Sequence, residues 1–315
     1  MTPARFMFWL QQLCNAAVLD LNQPGNELSG LLASLDKLGL AYKMDGRKLR
    51  LEHEVELLDI GALRQYLSLS GSATTCQYQL VTGSTNLDVL DYFRQHQQCS
   101  IAVCEKQTDG RGRRGKRWVS PFAKNIYCTV GVLKTIQPAH LALLSIVTGL
   151  ALCTALGKLG YADVKLKWPN DLYYQNKKLG GVLIESLPAG ACVNFLAVGF
   201  GINVDMSADE LAGIEQAATC LNLIGNKRAS RNRILSAAIR QVQQNIHAFN
   251  EDKISKLVTD FDDYDALHGM AVNVMAAGQT IAATNAGIAA SGQLKVETAQ
   301  GLLLFSAADI SLRRA

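Results

Sequence analysis

From residue 76 to about residue 262, short strand-like apolar runs alternate with helix-length segments, and this alternation limits the possible folds more than any other feature. The runs lie at 101–104, 126–132, 164–168, 182–186 and 195–199, and apolar spacing predicts helices over 86–97, 141–159 and 231–250. A chain patterned this way buries a sheet beneath helices, an α+β arrangement. At 315 residues, with 49% apolar and 18% charged side chains, it can build a large core and is not a disordered polymer. The formal charge of +4 is too small to imply a polyanion partner.

Two smaller units flank this region. In 1–66, Leu28, Leu31, Leu32, Leu35 and Leu38 recur at helical spacing, and Gly39 follows as a helix stop. A hairpin signal comes next, 40–44 and 47–51 around the turn pair Asp45-Gly46, giving a winged-helix-like domain. The polar stretch 68–75 reads as a linker into a domain spanning 76–262. Beyond Tyr264, short strand-like pieces broken by Gly269, Gly278, Gly287, Gly292 and Gly301 predict a small β-barrel over 266–315.

The uncharged run 141–156 approaches the length of a membrane span. Ser145, Thr148 and Thr154 interrupt it and Lys158 follows within a turn, so a buried core helix is expected and no membrane partner. The apolar run 6–10 is too short for a secretory core. Eight scattered cysteines form no C-x-x-C pair, which fits small buried hydrophobes in a reducing cytoplasm.

Four stretches carry candidate chemistry. Gly110-Arg111-Gly112-Arg113-Arg114-Gly115-Lys116-Arg117-Trp118 interleaves glycines with planar cationic donors, the composition of a flexible anion clamp. Composition alone fits a solvated basic loop equally well. Its place between the strand at 101–105 and the strand opening at Ile126 favours a site. Lys165 to Asp171, containing Lys167-Trp168-Pro169-Asn170-Asp171, leads into a hairpin, 172–174 with 179–185, across a turn at 175–178. Gly83-Ser84-Thr85-Asn86 opens a helix, where hydroxyls serve as caps or hold a polar ligand. Gly199-Phe200-Gly201-Ile202-Asn203 ends a strand.

In this order, 83–86, 110–118, 167–171, 178–181 and 199–203 resemble the signature blocks of the biotin–protein ligases, particularly bacterial ones with an N-terminal repressor domain. The likeness is strong over about 80–205. It is weaker at 287–288, 292–294 and 309–313, which resemble the family's capping barrel. The resemblance implies a winged-helix domain, a central mixed sheet covered by helices and an SH3-like barrel. It implies ATP-dependent activation of biotin to biotinyl-5′-AMP and transfer to a lysine of a biotin carboxyl carrier protein. Ser84, Thr85 and Gln107 would bond the ureido ring beside Asn86. Gly110, Arg111, Gly112 and Arg113 would lie over the carboxylate and α-phosphate, and Lys178 would reach the same oxygens. Asn170 and Asp171, with Trp118, Gly181 and Asn203, would place ATP, Asp171 holding Mg²⁺. Arg111, Arg113 and Lys178 would then carry the catalysis. The reaction brings two anions together, and these cations would offset their repulsion.

Two departures from the family stand out. Residues 1–75 hold seven Lys/Arg against eight Asp/Glu, the region before the hairpin is short, and the helix at 27–37 offers only Lys37. Duplex binding requires several phosphate-neutralising cations, so operator binding is not expected and a bifunctional ligase–repressor is the alternative. The loop at 205–221 lacks the tryptophan that covers adenosine in repressor members, its place being Ala217 or Ala218. Lipoate–protein ligase, which shares the fold, is the less favoured enzyme reading, because the arginine-rich glycine loop resembles the biotin branch. A homodimer through the central sheet is what the repressor members imply.

Overall fold

The computed structural model describes residues 1–16, 18–20, 25–69, 74–190, 193–226, 228–276, 278–307 and 310–314. The expected linker lies partly outside these residues, as do Cys192 and Asp309.

The N-terminal unit comprises α1 (Pro3–Ala16), β1 (Leu19–Asp20), α2 (Gly25–Leu38), β2 (Tyr42–Asp45), β3 (Lys48–Leu51) and α3 (Ile60–Leu69), with a small sheet in the order β1-β3-β2. Gly39 adopts φ 77° and ends α2 as expected. The hairpin turn falls on Gly46-Arg47, one residue later than the sequence suggests, because Asp45 pairs with Lys48 across it. Phe6, Leu10, Leu13, Leu31, Leu35 and Leu49 form the core of this unit. Phe122 and Ala123 enter the same cluster from the central domain.

The central domain follows with β4 (Thr75–Thr82), α4 (Thr85–His96), β5 (Ser100–Gln107), β6 (Asn125–Thr135), α5 (Leu141–Lys158), β7 (Lys165–Lys167), β8 (Asp171–Tyr174), β9 (Lys177–Pro188), β10 (Val193–Asn203), α6 (Ala208–Ala212), α7 (Leu221–Ile224), α8 (Arg231–Ala248) and α9 (Ile254–Tyr264). Seven strands form one mixed sheet, β4-β5-β6-β10-β9-β8-β7, in which only β4 and β5 run parallel. Its strands are apolar on both faces, as buried strands are. Ile126, Cys128, Val130, Leu196, Val198 and Phe200 share a core with α5 and α8. The other face packs Val89, Leu90 and Phe93 of α4 against Ala102, Phe195 and Ala197. Among the described residues α5 is the one helix long and apolar enough to cross a membrane, and 67% of it is buried inside the protein. The expected turn at 175–178 contracts to Gln175-Asn176, both in the left-handed region (φ 45° and 65°), which puts Lys178 within β9 opposite Tyr173.

Five antiparallel strands close the chain, β11 (Ala271–Ala276), β12 (Gln279–Ile288), β13 (Leu294–Thr298), β14 (Gly301–Phe305) and β15 (Ile310–Arg314), in the order β14-β13-β12-β11-β15. Val272, Val274, Ile288, Leu294 and Val296 continue the core under α5 and α8. Trp168 fastens this sheet to the central one, its Nε1–H donating to the Gly292 carbonyl at 3.0 Å.

Asp265, at the junction, accepts from Leu267 N–H (3.0 Å) and Asn285 Nδ2 (2.7 Å). Burial nevertheless pushes its carboxyl from 3.8 up to about 6, nearby Asp262 adding to the rise and His268 opposing it. A carboxyl raised in the folded state stabilises the fold when protonated, and that contribution is lost as pH rises through about 6. Denaturation curves should therefore show the parent losing on the order of 1 kcal/mol between about pH 5 and pH 8 relative to Asp265→Asn, whose amide does not titrate. An equal difference between parent and variant at both pH values would contradict this.

Candidate active site

The site lies on the sheet face that carries α4, just past that helix's N-terminus. Ser84 occupies the N-cap position but makes no side-chain cap bond. Ser84, Thr85 and Asn86 are all buried there. A continuous chain of hydrogen bonds runs from them. Thr85 N–H donates to Gln107 Oε1 (3.0 Å), and Gln107 Nε2 donates to Ser120 Oγ (3.2 Å). Thr129 Oγ1 lies 2.9 Å from Thr85 Oγ1 and 2.6 Å from Asn86 Oδ1. Asn86 Nδ2 donates to the Leu183 carbonyl (3.2 Å) and to Glu185 Oε2 (2.8 Å). Gly199 stands opposite Thr129 and Leu183, and a Cβ there would overlap Asn86 Oδ1. Only glycine lets the carboxamide lie flat against the sheet.

The glycine–arginine stretch forms a hairpin held by backbone and side-chain bonds. Gly112 N–H donates to Lys116 C=O (2.7 Å), Trp118 N–H to Gly110 C=O (2.8 Å), and Arg111 bridges Arg117. Side chains tie it at both sides. Arg111 Nη2 meets Glu185 Oε2 at 2.8 Å. Arg113 Nη2 (3.0 Å) and Arg114 Nη2 (2.7 Å) both donate to the Ala307 carbonyl, beyond β14. Burial, with Arg114 adding to it, pulls the half-buried Arg113 guanidinium down from its usual range, and Asp171 opposes this. Arginine stays charged nonetheless, so crowding two of them on one carbonyl leaves a place that an anion would relieve. A cleft of about 590 Å³ lies along this hairpin, walled opposite by Leu183 and Glu185.

At the other end of β9, Lys178 Nζ lies 2.9 Å from Asp171 Oδ1 and 5.4 Å from the Trp118 ring centroid. Trp118 packs over Gly201, where a Cβ would fall 2.6 Å from the indole, and its Nε1–H is buried with no partner. Gly181 lies beneath the same ring. Asn170 joins the two halves, donating Nδ2 to Val182 C=O (2.6 Å) while its Oδ1 lies 3.4 Å from Arg113 Nη1. The buried Asn203 faces the loop after it, Nδ2 donating to Thr219 C=O at 3.0 Å. That loop pairs with the strand at Lys178, which exchanges backbone bonds with Ala217 and Thr219, so Ala217 and Ala218 sit beside Lys178.

Every residue to which the resemblance gives a role thus falls in or beside one of three places: the α4 pocket, the arginine hairpin, or the Lys178–Trp118 end of β9. Sequence reading missed Thr129, Glu185 and Ser120. The first two carry a recognisable signal, a polar residue following or inside an apolar run (126–132 and 182–185).

The sequence pattern of the Biotin/lipoate A/B protein ligase family matches residues 78–203, which span the pocket, the hairpin and the glycine pair. Within that class, the chain is 30% identical over 235 residues to the bifunctional ligase/repressor BirA of Escherichia coli, covering 75% of this chain and 73% of that protein. It is also 30% identical over 262 residues to the biotin–[acetyl-CoA-carboxylase] ligase of Mycobacterium tuberculosis, covering 80% of this chain and 95% of that one. The solved biotin protein ligase of Aquifex aeolicus in complex with biotin and ATP superposes with a TM-score of 0.64 at 26% identity, over 76% of this chain and 99% of that one. The chain belongs to the biotin protein ligases.

Proposed function

We propose that this protein joins biotin to ATP, releasing pyrophosphate, and passes the biotinyl group from biotinyl-5′-AMP to a lysine of a biotin carboxyl carrier protein. The observation that carries the reading is the juxtaposition of a buried amide-and-hydroxyl pocket with a cationic hairpin, the two meeting at Glu185. The pocket's Ser84, Thr85, Asn86 and Gln107 offer donors and acceptors suited to a cyclic urea. Arg111, Arg113 and Lys178 offer positive charge where a carboxylate must approach a phosphate, and Gly110 and Gly112 let the backbone come close. In water that encounter is opposed by like charge. Fixed cations offset the repulsion and stabilise the charge that builds on the phosphorus oxygens, without having to reorganise during the reaction. The biotin carboxylate oxygen then bonds to the α-phosphorus as the bond to pyrophosphate breaks. In the second step the lysine nitrogen bonds to the carbonyl carbon and AMP leaves. The hairpin over the cleft keeps water from the mixed anhydride meanwhile.

Trp118, Gly181, Asn170, Asp171 and Asn203 are assigned to the nucleotide, the unpartnered Trp118 Nε1–H being a donor free to take a ligand oxygen or nitrogen. Asp171 suits Mg²⁺, which is commonly held by one or two carboxylates together with substrate phosphates and supplies charge neutralisation there. Pyrophosphate exchange into ATP tests the substrate directly. Exchange should depend on biotin, and dependence on lipoate instead would reassign the enzyme.

The same reading divides the chain into a winged-helix-like unit (1–66), a catalytic domain (76–262) and an SH3-like barrel (266–315), active in the cytoplasm. The seven described cysteines are all free thiols, which agrees with a reducing compartment. A homodimer through the central sheet is the assembly inferred, and sedimentation at micromolar concentration would read it.

Specific operator binding is not part of the proposal. Residues 54–59 are clamped to the start of α8. Arg228 pairs with Glu54, and the Glu56 carboxylate accepts from Ser230 Oγ, Arg231 N–H and Asn232 Nδ2 at 2.8–3.0 Å. With the unit's core continued by Phe122 and Ala123, it packs as part of the ligase. A competent operator-binding domain would reach about 10⁻⁸–10⁻¹¹ M near physiological salt and weaken steeply as salt rises. Titrating the full chain, with biotin and ATP, against DNA upstream of biotin-synthesis genes should show only weak, sequence-indifferent binding. Nanomolar selective binding would restore a repressor role.

A further inference from the structure

We propose that Glu185 is a positioning residue that fastens the arginine hairpin to the floor of the head-group pocket, and so sets how long biotin and its adenylate stay bound. The inference rests on the ligase reading above and adds a residue to it.

One carboxylate oxygen, Glu185 Oε2, takes two donors, one from the pocket and one from the hairpin: Asn86 Nδ2 at 2.8 Å and Arg111 Nη2 at 2.8 Å. Asn86 belongs to the pocket floor, being held on its other side by Thr129 and backed by Gly199. Arg111 belongs to the hairpin that roofs the cleft. Among the described residues Glu185 is therefore the side chain that bonds floor and roof directly. A carboxylate is an unfavourable neighbour for a site that must admit two anions, since like charge in a partly desolvated cleft repels them. Its presence is understandable if what it supplies is closure. Bonds from a guanidinium to a carboxylate are among the stronger hydrogen bonds, and this one is made only when the hairpin lies down over the pocket. At the hairpin's other side the bonds to Ala307 are to a neutral carbonyl. The charged contact is thus at the head-group end, where it would retain a bound urea ring.

Asn86 keeps its bond to Leu183 C=O when Glu185 is replaced, so the floor has a support of its own. Loss of Glu185 should then act on retention. In Glu185→Ala, KM for biotin in pyrophosphate exchange should rise about tenfold, the loss expected for one charge-assisted bond. Escape of biotinyl-adenylate, read as biotin placed on an added bystander protein, should rise by a similar factor, and the change should fall on KM and escape rather than on kcat. Glu185→Gln keeps an acceptor oxygen without the charge and should show a smaller rise in both, about threefold. If the alanine variant does not fold, the glutamine variant carries the test. Unchanged KM and escape, or a fall in kcat at unchanged KM, overturns the proposal. A parent protein that exchanges no pyrophosphate with biotin removes the functional reading itself, and this proposal with it.

Discussion

Lys178→Gln should lower biotin-dependent pyrophosphate exchange by about 10²–10³, the usual cost of deleting one preorganised donor to a developing negative charge. Lys178 lies inside β9 opposite Tyr173, and its backbone N–H and C=O are bonded to Ala217 and Thr219. Its ammonium is therefore carried on a fixed backbone, with Asp171 Oδ1 at 2.9 Å and the Trp118 ring restricting where it can go. Glutamine keeps a polar tip near Asp171 but removes the charge that offsets the approach of carboxylate to phosphate. Transfer from supplied biotinyl-adenylate joins a neutral amine to an activated carbonyl, needs that charge less, and should suffer less. A variant slowed only in transfer would place Lys178 in the wrong step.

The largest effect on stability should come from Arg231→Ala, expected to cost about 3–5 kcal/mol, because it strands a buried carboxylate. Arg231 and Glu105 have side-chain exposures of 3% and 0%, and their Nη2···Oε2 distance is 2.7 Å. The guanidinium also donates to the Asn125 carbonyl (Nε, 3.0 Å) and to the Glu56 carbonyl (Nη1, 2.5 Å). Glu105 Oε1 receives Leu58 N–H (2.7 Å) and Tyr78 Oη–H (3.0 Å). This one cluster thus joins α8, β4, β5, the start of β6 and the segment leading from the N-terminal unit. Urea denaturation of parent and variant measures the difference, and a loss under about 1 kcal/mol would show that the ion pair adds little beyond an apolar substitute.

Much of this architecture is legible from the chain because its signals are local. The apolar runs at 101–104, 126–132, 182–186 and 195–199 all fall within β5, β6, β9 and β10, and the predicted helices match α4, α5 and α8 to within a residue or two. The signature blocks are legible for a related reason: glycines at 199 and 201 and the interleaved arginines are types that a site needs at fixed spacing. What stays hidden depends on contacts between distant positions. No periodicity announces that Phe122 and Ala123 enter the N-terminal core, or that Trp168 reaches across to Gly292. Composition makes the arginine stretch look mobile, whereas its pinning comes from Glu185 and Ala307, about 70 and 190 residues further on. The two hairpin turns each lie slightly off their expected place, since register is set by pairing along the whole ladder and not by the turn residues alone.

The central claim, that this chain is a biotin ligase working through the cleft between the α4 pocket and the arginine hairpin, is tested most directly by the mass of its product. A biotin carboxyl carrier protein is incubated with the full chain, biotin and ATP, and its intact mass is measured, followed by peptide mapping. The account predicts one biotinyl group on one lysine, dependent on ATP and abolished or nearly so in Lys178→Gln. A carrier left unmodified, or modified equally well by the Lys178 variant, would contradict it.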